Sequence, residues 1–169
     1  MAKIFSSTNN FSSLQTQGGG QVAAQHAGIC AALTSLWCLH MLEGRRDLLT
    51  RPSYARAQSL QVLYRWDPAA GAQDKLNLLE RIGVKGTVQF NASATSVALS
   101  QMSAKPGVYR LGNGAHSIGA AVVNNRYYFY DCDENGAGGL HAFDDADDWR
   151  ALVTQHYGGD RLQGISTAL

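Results

Sequence analysis

Hydrophobic residues in the first half of the chain recur at intervals of three and four, the spacing of a buried helix face. The pattern is clearest after Cys30, where it is carried by Leu33, Leu36, Trp37 and Met41. Gly44 supplies a stop for this segment. Two further segments, 55–66 and 72–82, show the same spacing and end at Asp67-Pro68 and at Gly83. The first half is therefore predicted to be mostly helical.

From Val84 onwards the pattern changes to short apolar runs separated by turn residues. Strands are predicted at 84–90, 108–111, 116–123, 126–130 and 139–143. Short helices are predicted at 95–102 and from Asp144 to the residue before Gly158. Helices that precede strands indicate an α+β fold, in which the N-terminal helices pack on an antiparallel β-sheet.

The pair Asn124-Asn125 predicts a two-residue hairpin turn, because asparagine tolerates the positive φ angles of such turns. This turn places Ile118 opposite Asp131. His116 lies on the same face as Ile118, so His116 and Asp131 become diagonal neighbours that a hydrogen bond can join. We expect this face to pack against the helix that begins at Cys30. Its apolar members are Ala120, Val122, Tyr127 and Phe129.

The composition is that of an ordinary globular protein: 169 residues, of which 45% are hydrophobic and 16% are charged. Residues 1–20 are rich in Ser, Thr, Asn, Gln and Gly, which cannot bury enough apolar surface to order themselves. We expect them to form a flexible N-terminal arm. Residues 21–169 are expected to form a single domain.

Charge and cysteine content narrow the classes of function. Fourteen basic and thirteen acidic residues leave a formal charge of +1, so nucleic acid is not an expected partner. No apolar run approaches the roughly 18 residues of a membrane span, and the first twenty residues lack the apolar core of a classical signal peptide. The three cysteines have the spacing of neither a disulfide framework nor a zinc site. We expect no metal and no cofactor.

Three residues have the chemistry of a thiol hydrolase. Cys30 lies in the first turn of its helix, where free backbone N–H groups and the helix dipole favour a thiolate. His116 would serve as the base that takes the thiol proton, and Asp131 would orient the imidazole. Nucleophile, base and orienter in this combination predict a catalytic Cys30–His116–Asp131 triad.

These residues and their surroundings resemble the papain-like cysteine peptidases of the YopT/AvrPphB type, which are bacterial effectors. The resemblance rests on Gly28-Ile29-Cys30 with Leu33 and Trp37, on His116 before an apolar strand, on the aromatic run 127–130 that leads into Asp131, and on Gly136. It covers roughly residues 25–157. It implies a papain-like catalytic domain that hydrolyses a protein substrate.

The same resemblance implies where the protein acts. A virulence effector is secreted by a bacterium without a classical signal peptide and acts in the cytoplasm of a target or host cell. Besides its protein substrate, a secretion chaperone or a cognate inhibitor could bind such a protein.

The spacing of the triad leaves the reaction open. Asp131 follows His116 by 15 residues, which fits the effector peptidases. His116 follows Cys30 by only 86 residues, which is closer to the compact OspI-type glutamine deamidases that share the fold and the triad. Cys132-Asp133 also replaces the Pro-Asn that the peptidases tend to carry after their acid. Peptide cleavage is the leading expectation, with deamidation of a protein glutamine as the alternative.

An oxyanion hole is required as well, because the tetrahedral intermediate carries negative charge on its oxygen. The backbone N–H of Cys30 is one expected donor. By resemblance to papain-like enzymes, the side chain of Gln25 is the expected second donor, with Gln21 as a poorer alternative.

Two alternative functions belong to other classes of protein. Residues 131–136 fit the beginning of a calcium-binding loop, although Ala142 stands where a bidentate Glu is required. A non-catalytic adaptor or immunity protein that keeps a papain-like shell is the other alternative.

Overall fold

The computed structural model describes residues 2–8, 29–44, 52–63, 72–114 and 116–169. Within these residues the chain forms five helices and seven strands. The helices are α1 (Cys30–Leu42), α2 (Tyr54–Leu63), α3 (Gln73–Arg81), α4 (Thr95–Ala104) and α5 (Ala146–Tyr157). The strands are β1 (Ala2–Ser6), β2 (Lys85–Ala92), β3 (Gly107–Gly112), β4 (Ser117–Val123), β5 (Arg126–Asp131), β6 (Gly139–Phe143) and β7 (Leu162–Ala168). The predicted α+β class is confirmed.

The strands form one antiparallel sheet in the order β1-β6-β5-β4-β3-β7-β2. Its central hairpin, β4 and β5, has the predicted register, which runs from Val123 opposite Arg126 to Gly119 opposite Tyr130. Asn124 and Asn125 have φ angles of 52° and 60°. These are the positive values that a type I′ turn requires at both central residues, and they fix the register of the hairpin.

Each face of the sheet carries its own hydrophobic core. Helices α1, α2 and α3 cover one face, with Leu33, Trp37, Leu79, Ala121 and Tyr130 among the buried residues. Helices α4 and α5 cover the other, with Leu99, Tyr109, Phe129 and Trp149 among the buried residues. The predicted packing of the nucleophile helix on an antiparallel sheet is therefore confirmed.

The contact between α1 and the sheet depends on a glycine. A Cβ placed on Gly119 would lie 2.4 Å from the ring of Trp37. The Trp37 ring also stacks on Tyr130, with centroids 5.6 Å apart. Because Gly119 lacks a side chain, α1 can lie close enough to β4 to bring its first turn to the residues that precede the strand.

The prediction of which hairpin face packs against the Cys30 helix is wrong. The apolar residues predicted to pack against the Cys30 helix belong to the core under α4 and α5: Ala120, Val122, Tyr127 and Phe129. Helix α1 packs instead with the alternate residues Ala121, Tyr128 and Tyr130. Side-chain alternation shows which residues share a face of a sheet, but not which helix covers that face.

The beginning of the expected arm forms the strand β1, while residue 1 and residues 9–20 lie outside the described residues, so a flexible arm stays a prediction for them. β1 pairs antiparallel with β6 at the edge of the sheet. Phe5 packs against the core under α1, and the Ser7 amide donates to the carbonyl of Gly138 at 2.9 Å. Pairing with β6 satisfies the backbone groups of β1, which the polar composition of residues 1–20 as a whole could not indicate.

We expect Phe5→Ala to lower the melting temperature by roughly 5 °C, because it removes a partly buried ring from the edge of a core. The Phe5 ring lies 5.9 Å from that of Tyr130. Ser6→Ala is the matched control, since Ser6 is exposed on the same strand. Thermal unfolding followed by circular dichroism measures both. Equal melting temperatures for the two variants would show that β1 contributes nothing to stability.

Candidate active site

The first turn of α1 presents Cys30 at one edge of the sheet. The buried side chain of Gln61 accepts a hydrogen bond from the Ala32 amide at 3.1 Å, which satisfies a donor that the start of a helix leaves free. Thr34 donates its hydroxyl to the carbonyl of Ser117 at 3.1 Å. These two bonds fix the first turn of α1 against α2 and β4, and so fix the position of the Cys30 thiol.

His116 lies immediately before β4 rather than within it, contrary to the predicted strand 116–123. Its backbone amide donates to the side-chain oxygen of Asn113 at 2.8 Å. Its imidazole lies beside the Cys30 thiol, close enough for each group to shift the pKa of the other. The ring Nε2 lies 2.8 Å from Oδ1 of Asp131. A carboxylate only accepts, so Nε2 donates to Asp131 and Nδ1 is the ring nitrogen left for the sulfur.

The carboxylate of Asp131 is fully buried and accepts four hydrogen bonds. Oδ1 accepts from His116 and from the Asp133 amide at 3.0 Å. Oδ2 accepts from the Ala137 amide at 2.9 Å and from the Tyr157 hydroxyl at 2.8 Å. All of its main acceptor positions are therefore used, and the carboxylate has one orientation, directed at the imidazole.

The loop after β5 wraps around this carboxylate. A Cβ on Gly136 would lie 2.3 Å from Oδ2 of Asp131, so the loop can close there only with glycine. His141 donates from Nε2 to the carbonyl of Ala137 at 2.9 Å and holds the far side of the loop. In the calcium loop considered above, the first aspartate would give its oxygen to the ion. Here the oxygens of Asp131 face hydrogen-bond donors, which does not fit that alternative.

The surroundings of Cys30 favour the thiolate. Burial opposes its ionisation, but the hydrogen bond and positive charge of His116, the Ser117 amide and the charge of Arg110 together hold the pKa of the Cys30 thiol below its ordinary value. Burial raises the pKa of Cys38 to about 12, and it raises the pKa of Cys132 well above the ordinary value. Cys30 is thus the thiol with nucleophilic character near neutral pH.

His116 and Asp131 complete the charge arrangement. Burial disfavours the imidazolium, but hydrogen bonds to Asp131 and Cys30 and the charges of both raise the pKa of His116 to about 10. Burial likewise disfavours the carboxylate, but the bond from His116, the Ala137 amide and the Tyr157 hydroxyl hold the pKa of Asp131 below its ordinary value. These shifts all favour the charged forms of the three groups, a thiolate, an imidazolium and a carboxylate in series.

The structure brings together Cys30, His116 and Asp131. Gln25, the expected second oxyanion donor, and the alternative Gln21 lie outside the described residues, so that role stays a prediction.

Two residues at the site were missed from the sequence. Tyr157 ends α5 and lies 26 residues from Asp131, and no local motif connects the two. Arg110 offered a signal, since it is a charged residue inside the apolar strand 108–111.

No protein-family profile and no curated protein sequence matches the chain. Solved structures similar to it include the following two. The Pseudomonas avirulence protein AvrPphB matches with a TM-score of 0.57 and 15% identity over 83% of this chain and 92% of its own. The second is the ubiquitin-specific protease encoded by murine cytomegalovirus tegument protein M48, which was solved in complex with a ubiquitin-based suicide substrate. It matches with a TM-score of 0.58 and 13% identity over 99% of this chain and 85% of its own. The chain therefore has the papain-like cysteine protease fold.

Proposed function

We propose that this protein is a cysteine hydrolase that attacks a carbon–nitrogen bond of a protein substrate through Cys30, with His116 as acid–base and Asp131 as orienter. The observation that carries the proposal is the His116 imidazole, which lies beside the Cys30 thiol and is held by a 2.8 Å hydrogen bond to the buried Asp131 carboxylate. A purely structural shell would not require a buried carboxylate with four donors behind a histidine that contacts a thiol.

The reaction follows from these positions. The Cys30 thiolate attacks the substrate carbonyl carbon and forms a tetrahedral oxyanion. This oxyanion accepts hydrogen bonds from the backbone N–H of Cys30 and, as expected from the resemblance, from the side-chain amide of Gln25. The His116 imidazolium then protonates the departing nitrogen, and a thioester remains on Cys30. Water, deprotonated by the neutral His116, attacks this thioester and releases the carboxylic acid.

Peptide cleavage and glutamine deamidation share these steps, and the leaving group distinguishes them. An amine leaves in the first reaction and ammonia in the second. Peptide cleavage is favoured by the likeness of the fold to proteases. The short step of 86 residues from Cys30 to His116 favours the compact cleft of a deamidase, which we keep as the second candidate.

Intact-mass analysis of candidate target proteins, incubated with wild-type and Cys30→Ala protein, tests the proposal. Fragments that appear only with wild type indicate a peptidase, whereas a gain of about one dalton from replacing NH₂ by OH indicates a deamidase. A target that binds both proteins and is changed by neither would favour the adaptor alternative. A ubiquitin-based suicide substrate is one useful probe, because a similar fold was solved with one.

The pH dependence of the hydrolysis rate should reflect the pKa of both Cys30 and His116. Because the pKa of Cys30 is lowered, hydrolysis should already be supported below the roughly pH 8.5 at which an ordinary thiol ionises. Because the pKa of His116 is raised to about 10, the acid that protonates the leaving nitrogen is lost only as the pH approaches that value. A rate profile from pH 5 to 10.5 measures both limbs. A profile that rises only above pH 8.5 would contradict the ion pair.

We also propose that the protein works as a secreted bacterial effector in the cytoplasm of a target cell, where its substrate is found. The resemblance to effector peptidases and the polar residues 9–20 support this placement. A fusion to a reporter enzyme that needs a cofactor of the target-cell cytoplasm would test delivery. In the described part of the chain, no helix is long and apolar enough to cross a membrane.

A further inference from the structure

A pocket of about 450 Å³ lies beside the turn that leads from β3 to His116. Its walls come from the end of β2, the end of β3 and the beginning of β7. In this antiparallel sheet those positions lie at one edge, where Gly112 also pairs with Ser117 at the beginning of β4. The pocket therefore opens on the same edge of the sheet as the candidate triad, one strand away.

The lining of the pocket is basic and amide-rich. It includes Lys75, Asn91, Asn113, Arg161 and Gln163. The carboxylates nearest in sequence are engaged: Asp74 lies 3.6 Å from Lys75 Nζ, and Asp160 accepts from the Asn113 amide at 2.9 Å. Among the residues that the structure describes, no carboxylate lies within ion-pair distance of the exposed Arg161 guanidinium.

Arg110 adds a buried cation behind this wall. Its side chain is 1% exposed and donates from Nη2 to the Ser117 hydroxyl at 2.7 Å. Its Nε and Nη1 have no hydrogen-bond partner in the described part of the chain. A buried guanidinium with unpaired donors is costly unless an acceptor reaches it.

Gly112 connects the pocket to this unpaired donor. A Cβ on Gly112 would lie 3.9 Å from Nη1 of Arg110, 3.9 Å from Cε of Lys75 and 3.7 Å from the carbonyl oxygen of His116. The space beside Gly112 is therefore bounded by two cations and by the backbone of the catalytic histidine. An acceptor bound beside Gly112 would therefore lie near Nη1 of Arg110.

We propose that this pocket is a specificity subsite that binds a carboxylate side chain of the substrate, Asp or Glu, close to the bond that Cys30 attacks. The carboxylate lies beside Gly112 and accepts from Arg110, while Arg161, the residue before β7, faces it from the pocket wall. This assignment rests on the proposed function, because a subsite requires a substrate in the cleft.

Peptidyl vinyl sulfones that alkylate Cys30 provide the test. Glu is placed at each successive position of an otherwise constant peptide, and each probe is paired with its Gln counterpart. We expect inactivation to be about tenfold faster for Glu than for Gln at one position, the size of one charge-assisted hydrogen bond. Arg161→Gln and Gly112→Ala should each reduce that ratio to about two or less. Alanine fits at Gly112, because its Cβ would make only ordinary contacts, but it covers Nη1.

Arg126→Gln is the matched control, since Arg126 is an exposed arginine at the opposite end of the sheet, and its Glu-to-Gln ratio should equal that of wild type. The rate of Cys30 alkylation by iodoacetamide is measured in every variant. Fast iodoacetamide labelling with a Glu-to-Gln ratio near one at all positions, or with no reaction of any peptide, would overturn the subsite alone. Slow iodoacetamide labelling of wild type would instead overturn the proposed function.

Discussion

Replacing His116 by alanine is expected to lower hydrolysis by at least about 10³-fold, because it removes the acid–base and the charge that stabilises the thiolate. The imidazole contacts the Cys30 sulfur on one side and Asp131 on the other, so no other group takes its place. Cys30→Ser should cause a loss of similar size, since a hydroxyl beside the same histidine is a far weaker nucleophile than a thiolate. The rate of product formation is measured for both variants, with a target protein that the intact-mass experiment has identified.

Asp131→Asn should be less damaging to turnover than either of these variants. The amide oxygen can still accept from His116, although the negative charge that supports the imidazolium is lost. Its NH₂ group would face the Ala137 amide, so stability should also fall by about 1–3 kcal/mol. If all three variants kept wild-type activity, the site would lie elsewhere.

Gly136→Ala should disable the site without replacing any of the three residues of the candidate triad. Its Cβ would lie 2.3 Å from Oδ2 and 3.3 Å from Cγ of Asp131, and 3.4 Å from the Tyr157 hydroxyl. The loop or the carboxylate must move, and a shift of about 1 Å in a positioning group can cost about 10²-fold in rate. We expect a loss of that size, together with a lower melting temperature.

Gly159→Ala is the control for this substitution, because no atom lies within 4 Å of the Cβ that it would add. It should retain wild-type activity and stability. Wild-type turnover in Gly136→Ala would mean that the loop around Asp131 can relax and that its close fit does not orient the triad.

The parts of the site that could be predicted are those controlled by local rules. The Asn124-Asn125 turn fixes a hairpin register, and that register brings His116, the residue before β4, beside Asp131 at the end of β5. Periodicity and a glycine stop locate α1 with Cys30 in its first turn. Each of these inferences needs only neighbouring residues and known backbone geometry.

The parts that could not be predicted depend on contacts between distant segments. The alternation of β4 and β5 does not reveal that α5 covers the face assigned to α1. The polar composition of residues 1–20 as a whole conceals the strand at its beginning, because the stability of β1 comes from pairing with β6. The hydroxyl of Tyr157 reaches Asp131 only because α5 returns across the end of β5.

Site-resolved alkylation at pH 7 is the most direct test of the central claim that Cys30 is a thiolate activated by His116. Trace iodoacetamide is added to the folded protein, and peptide mass spectrometry follows the modification of Cys30, Cys38 and Cys132 in wild type and in His116→Ala. The account predicts rapid modification of Cys30, at least about tenfold faster than the two buried cysteines, and loss of that advantage in His116→Ala. Equal, slow modification of all three cysteines in wild type, or unchanged rapid modification of Cys30 in His116→Ala, would contradict it.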